Sequence, residues 1–166
     1  RLPAAIVAFE DAAARNPDAP VLSRDTGTRR PYGKNPYPGY DSIYVPPFFA
    51  VENRGDDRLF PRERVVFFEF GDEAVAVSFT ALEARKRIGL QVGGRSIEAI
   101  WKPGVTSTLD DTDVFSPFAP AVVRDEAKVT GSAEVVDADS GERLSFDTPF
   151  WFAVAAFRPD IELVTN

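Results

Sequence analysis

Val65-Val66-Phe67-Phe68-Glu69-Phe70 and Ala74-Val75-Ala76-Val77-Ser78-Phe79 stand on either side of Gly71-Asp72-Glu73. Two runs of β-branched and aromatic residues joined by a short polar link with a glycine predict a β-hairpin. The pattern recurs downstream. Leu90-Gln91-Val92, Gly93-Gly94 and Arg95 to Trp101 predict a second hairpin. Ala127 to Asp137 and Arg143 to Phe146, on either side of Asp139-Ser140-Gly141, predict a third. After the first hairpin, Thr80-Ala81-Leu82-Glu83 fits a capping box that opens a short helix running to about Arg87.

Helices are expected near both ends. Residues 3–15, Pro-Ala-Ala-Ile-Val-Ala-Phe-Glu-Asp-Ala-Ala-Ala-Arg, carry proline at the first helical position, alanine throughout, and Asn16-Pro17 as a stop. Ile6, Phe9 and Ala13 form a narrow apolar stripe, and Val21-Leu22-Ser23 then predicts a short strand. At the other end Thr148 can cap, Pro149 can take the first turn, and Arg158-Pro159 closes the apolar run Phe150 to Phe157. A helix apolar on every side is expected to be buried. The two helices echo each other. Phe9 to Asp18 aligns with Trp151 to Asp160, each with an aromatic residue, a small-residue pair and then Pro-Asp, as a repeat would.

Residues 24–61 have neither period. Arg24 to Asp41 holds three Pro, three Gly and three Tyr, which blocks helix and central strand alike. Tyrosines are costly to leave in water, so a long loop of this kind is expected to pack on itself or on a neighbour. The chain as a whole has 166 residues, 44% of them apolar and 27% charged, which is globular composition for one domain. A net charge of −7 is the wrong sign for a nucleic-acid footprint. With no Cys and no His, disulfides, thiolate chemistry, imidazole metal sites and Ser-His-Asp triads drop out. No run approaches the ~20 apolar residues of a membrane span. Without Met at its start, the chain is expected to be a processed protein or a piece of a larger one.

Several stretches together carry a family resemblance: Asn16 to Gly27, Tyr32-Gly-Lys-Asn-Pro-Tyr-Pro-Gly-Tyr-Asp41, Asp56-Asp57-Arg58-Leu59 with Pro61, Trp101-Lys102-Pro103-Gly104, and Phe150-Trp151-Phe152-Ala153 through Pro159-Asp160. Collinear from end to end, they make the chain resemble the DUF3179 family of bacterial and archaeal proteins of unknown function. The resemblance implies two tandem β-rich copies, each ending in an aromatic helix and Pro-Asp. Residues 1–23 are then the tail of a first copy, 24–61 an inter-repeat segment and 62–166 the second copy. It also implies a Tyr-Cys-Pro-Leu-Cys-like motif upstream of Arg1, with Ile100-Trp101-Lys102-Pro103-Gly104 as its counterpart here. An extracytoplasmic or secreted location follows from the resemblance alone.

Candidate site residues fall in three groups. Asp110, Asp111 and Asp113 could offer oxygens to Ca²⁺, the one cofactor these residues suggest, although the stretch lacks an EF-hand's Gly and distal Glu, and a solvated turn is the default. Tyr32, Tyr37 and Tyr40, with Arg24, Asp25, Arg29 and Arg30, either pin the loop to its own domain or present a face to a partner or a sugar ring. Trp101 ends a strand beside a turn. The carboxylate pairs Glu10/Asp11, Asp56/Asp57 and Asp72/Glu73 sit in polar sequence where exposure is the default.

The expectation is one α+β, β-dominant domain: antiparallel hairpins in a twisted sheet or open barrel, short helices near both ends, and a long Tyr/Pro/Gly-rich loop. The residues lean away from an enzyme and toward a binding or assembly module, the C-terminal portion of a larger protein. Its expected partner is a protein, either the first repeat as a separate chain or another subunit. Two alternatives stand beside this one: a fragment of a metal- or carboxylate-dependent enzyme whose main site lies upstream, and a carbohydrate-binding module using the tyrosine loop.

Overall fold

A computed structural model describes residues 4–29, 43, 46–53, 55–105 and 131–165. The first hairpin forms as strands β1, Val65–Phe70, and β2, Glu73–Ser78, with Phe67 opposite Ala76. The second forms as β3, Arg87–Val92, and β4, Arg95–Pro103. Its Gly93-Gly94 turn takes φ of 57° and 73°, the positive pair that a tight hairpin turn needs. The helix α2, Phe79–Arg85, lies between the hairpins and buries Phe79, Ala81 and Leu82.

Two three-stranded sheets result, and no closed barrel forms among the described residues. One sheet runs β3-β4-β5, with β5 spanning Gly131–Asp137 antiparallel to β4. The other runs β1-β2-β6, where β6, Glu162–Val164, lies parallel to β2 with Ala76 opposite Leu163. The β1 run shows no alternation because both its faces are covered. Val66 and Phe68 enter the main core with Val75, Val77, Leu82, Ile88, Ile97 and Trp101. Val65 and Phe67 point the other way, onto Trp151, Val154 and Ala155 of helix α3, Trp151–Phe157.

Several expectations are corrected by long-range partners. The cap of α2 is Ser78, whose Oγ accepts the Ala81 N–H at 3.0 Å, so the helix opens ahead of the expected Thr80 box and ends before Arg87. The third hairpin forms in short: Val136 bridges Arg143, with Asp137 N–H donating to Glu142 carbonyl and Leu144 N–H to Val135 carbonyl, each at 2.8 Å, while the expected start of its first strand, residues 127–130, lies outside the described residues. The C-terminal helix is not buried all round. Trp151, Val154 and Ala155 are buried, but Phe157 is 86% exposed. Thr148 does not cap it, since its Oγ accepts the Ile6 N–H at 3.1 Å.

The N-terminal helix is shorter than expected. Helix α1 covers only Phe9–Arg15. Residues 4–8 are not helical, because other parts of the chain take their polar groups. Ala4 N–H donates to Asp147, Ala4 carbonyl accepts from Thr148 N–H, and Ile6 carbonyl accepts from the Ser132 hydroxyl. Val21-Leu22-Ser23 forms no strand. Val21 and Leu22 stay 70% and 87% exposed, and none of the described strands pairs with them.

Candidate functional site

Helix α3 and β6 are held by a clasp from the segment before β1. Trp151, fully buried, donates its indole N–H to Asp56 Oδ1 at 3.1 Å. Arg58 grips the same carboxylate at 2.6 Å and places its guanidinium 4.9 Å from the centre of the Trp151 ring. Its remaining donors reach Pro159 carbonyl at 2.6 Å and Ile161 carbonyl at 3.1 Å, the backbone just past the helix. Asn53 adds bonds to Asp56 and to Ala155 carbonyl. Burial raises the Asp56 carboxyl, but the hydrogen bonds from Arg58 and Trp151, with Arg58's charge, outweigh it and hold the group below the usual carboxylate range. A carboxylate fixed in this way is an anchor, and its shift is opposite to that of a general acid.

The N-terminal arm repeats the α3–β6 turn in detail. Each helix has seven residues, and neither is capped by a side chain. Asn16 ends α1 at φ −137°, ψ 69°, and Arg158 ends α3 at φ −139°, ψ 67°. In both the cap N–H returns to the fourth residue of the helix, Asn16 to Ala12 at 3.0 Å and Arg158 to Val154 at 2.8 Å. In both the residue after Pro-Asp bonds back to the cap, Ala19 to Asn16 and Ile161 to Arg158. The surroundings differ. Helix α3 buries its Trp, Val and Ala, whereas α1 buries nothing and leaves Phe9 71% exposed. Arg15, with Lys102 and Arg143, adds to the positive field on Glu134 of β5, which places the far end of α1 near that strand.

Residues 1–161 match the family whose description reads protein of unknown function, DUF3179. The chain belongs to the DUF3179 family. No curated protein and no solved structure gives a significant match.

Within this DUF3179 chain, the described stretches around Asp56, Trp101 and Trp151, which helped carry the resemblance, occupy structural joints. Asp56 and Arg58 form the clasp, and Trp151 is what they hold. Trp101 is 6% exposed in the main core, edge-on to Phe79 with ring centres 5.4 Å apart, and its indole lies over Gly131. Arg24 and Asp25 lie exposed on the arm, Asp25 N–H donating to Ser23 Oγ at 3.1 Å, and Arg29 is exposed too. Arg30, Tyr32, Tyr37, Tyr40, Asp110, Asp111 and Asp113 lie outside the described residues. Among the described residues no cluster of three acidic side chains has the spacing to hold a metal ion, and no helix is long and apolar enough to cross a membrane.

The remaining carboxylates of the expected pairs all lie at the surface. Glu10, Asp11, Asp57 and Asp72 are exposed, while Glu73 accepts the Gly93 N–H at 2.8 Å and joins the two hairpin turns. A groove of about 490 Å³ beside α3, lined by Phe67, Pro149, Ala153, Val154 and Phe157, carries one carboxylate, Glu69, paired with Arg158 at 3.0 Å.

Sequence reasoning missed Arg62, Glu63 and Arg64, which are 2%, 7% and 6% exposed. A charged tripeptide ahead of a strand reads as solvated. Here Arg62 donates to Pro46 carbonyl at 2.9 Å, and Arg64 to Thr148 carbonyl at 3.2 Å, with its guanidinium over Phe150. Burial pushes the Glu63 carboxyl up, against hydrogen bonds from Thr80 and Ser78. The only local hint is that the tripeptide runs straight into the apolar β1.

Proposed function

We propose that this DUF3179 chain is an assembly module whose N-terminal arm, residues 9–22, is the surface that joins it to a protein partner. One observation carries the reading. The arm has the backbone of a unit that elsewhere in the same chain is buried on a sheet, yet its Phe9, Val21 and Leu22 face solvent. Several large apolar residues left exposed on one ordered turn are what an interaction surface looks like. Four hydrogen bonds from residues 4–6 to Asp147, Thr148 and Ser132 fasten the base of the arm, so its position is set before any partner arrives. Preorganisation of that kind lowers the entropy cost of association.

Amide hydrogen exchange tests the reading. The arm is compared between the isolated 166-residue chain and the same residues in the protein isolated intact from its own cells. We expect residues 9–22 to exchange fast in the former and slowly in the latter. Equally fast exchange in both would remove the proposal.

A further inference from the structure

Resting on that reading, we infer that the partner of the arm is a two-stranded β-hairpin of the β1–β2 type, on which Val21-Leu22 adds as a third, parallel strand and Phe9 fills the place that Trp151 fills in this chain. Three observations converge on it. The first is the shared backbone of α1 and α3, which extends past the helix through the Pro-Asp turn. After α3 that turn delivers β6 to β2, with Leu163 opposite Ala76 and Val164 opposite Val77. The matching residues of the arm are Val21 and Leu22. Leu163 packs on the α3 side of the sheet and Val164 on the main core, so the arm too needs both its apolar residues, one for each face.

The second is charge. Arg58 donates to the carbonyls of Pro159 and Ile161 and also feels the charge of Asp160. Pro17, Asp18 and Ala19 stand at the corresponding places of the arm, and Asp18 is exposed. A partner hairpin that carries a guanidinium ahead of its first strand meets the same carbonyls and the same acid. The Phe9 ring, unlike the Trp151 indole, has no N–H, so the partner needs no counterpart of the Asp56 acceptor.

The third is the contact between the two units. Ile6 N–H donates to Thr148 Oγ across 142 positions, the same offset that relates Phe9 to Trp151 and Asn16 to Arg158. The contact sets the arm directly beside the α3 unit. A partner hairpin seated on the arm as β1–β2 is seated on α3 forms a second sheet of the same kind. This chain's own β1–β2 cannot serve, because α3 and β6 already cover it.

The test is photo-crosslinking in the host cell, with a benzophenone amino acid replacing Phe9 in one variant and Leu22 in another. Both side chains are exposed in this chain, so neither replacement disturbs its own core; unchanged thermal unfolding of the isolated variants checks this. Sequenced cross-links from both probes into one β-hairpin, the Leu22 probe reaching its second strand, are the expected result, whether that hairpin lies in the same polypeptide or another. Introducing Val21→Asp beside the Leu22 probe should abolish its cross-link, because a charge would be buried at the seam. Cross-links into a helix or an irregular segment, into residues 65–78 of this chain, or none at all would overturn the inference. If the arm amides are nevertheless protected, the assembly reading survives without the hairpin. If they are not, both fall.

Discussion

Asp56 and Glu63 are carboxylates on one short stretch, and their surroundings push them in opposite directions. Asp56 is held ionised by Arg58 and Trp151, so its contribution to stability is present above the ordinary aspartate value of 3.8 and is lost as pH falls through its lower folded value. Replacing it by Ala leaves the Trp151 N–H and the Arg58 guanidinium without their acceptor. We expect a loss of about 1–3 kcal/mol in urea unfolding at pH 7, shrinking as the pH is taken below the folded value. Glu63 behaves the other way. Its folded state holds the proton more tightly than the ordinary 4.5, so its stabilising effect is full below that value and is lost as pH rises through the raised folded one. Glu63→Gln is therefore expected to raise the melting temperature at pH 7 and to have little effect at pH 4. An equal change at the two values would mean that Glu63 is not titrating in the fold. Sequence could not separate these two acids, because the difference lies in residues far along the chain: Trp151 for one, Ser78 and Thr80 for the other.

At the scale of elements, β4 and β5 depend on one close approach. A Cβ on Gly131 would sit 2.0 Å from Trp101 Cζ2, closer than any non-bonded carbon pair allows. Gly131→Ala should therefore force the indole out of its place against Phe79 and cost about 1–3 kcal/mol or more in chemical unfolding. Gly89 lies on the neighbouring strand with nothing within 4 Å of such a Cβ, so Gly89→Ala should change stability by less than about 0.5 kcal/mol. The hairpins were legible because residues next to one another in sequence pair next to one another in space, with turn glycines between. The parallel strand β6 was not. Three residues, Glu162–Val164, have too little pattern to be read, and only the seating of α3 brings them beside β2.

For the whole molecule, the arm and the body should separate energetically. Phe9 and Leu22 are 71% and 87% exposed, so replacing both by Ser should leave the unfolding midpoint of the isolated chain within about 0.5 kcal/mol of its starting value. A larger loss would show that the arm belongs to this chain's own core. The repeat echo was visible in sequence as an aromatic, small residues and Pro-Asp. What it could not say was that α3 would be seated on a sheet while α1 would bury nothing.

The sequence by itself determined the β-dominant class, the first two hairpins, the ends of the two terminal helices at Arg15 and Phe157, and the family. Each rests on contacts between near neighbours: alternation, turn residues, helix stops and motif order. Only the tertiary structure decided that β1 is covered on both faces, that residues 4–8 give up helix for bonds to Asp147, Thr148 and Ser132, and that Asp56 is an anchor for Trp151. It also decided that Trp151 is buried while its counterpart Phe9 is exposed. Burial and hydrogen-bond partners are set by what lies across the fold, and local pattern carries no record of that.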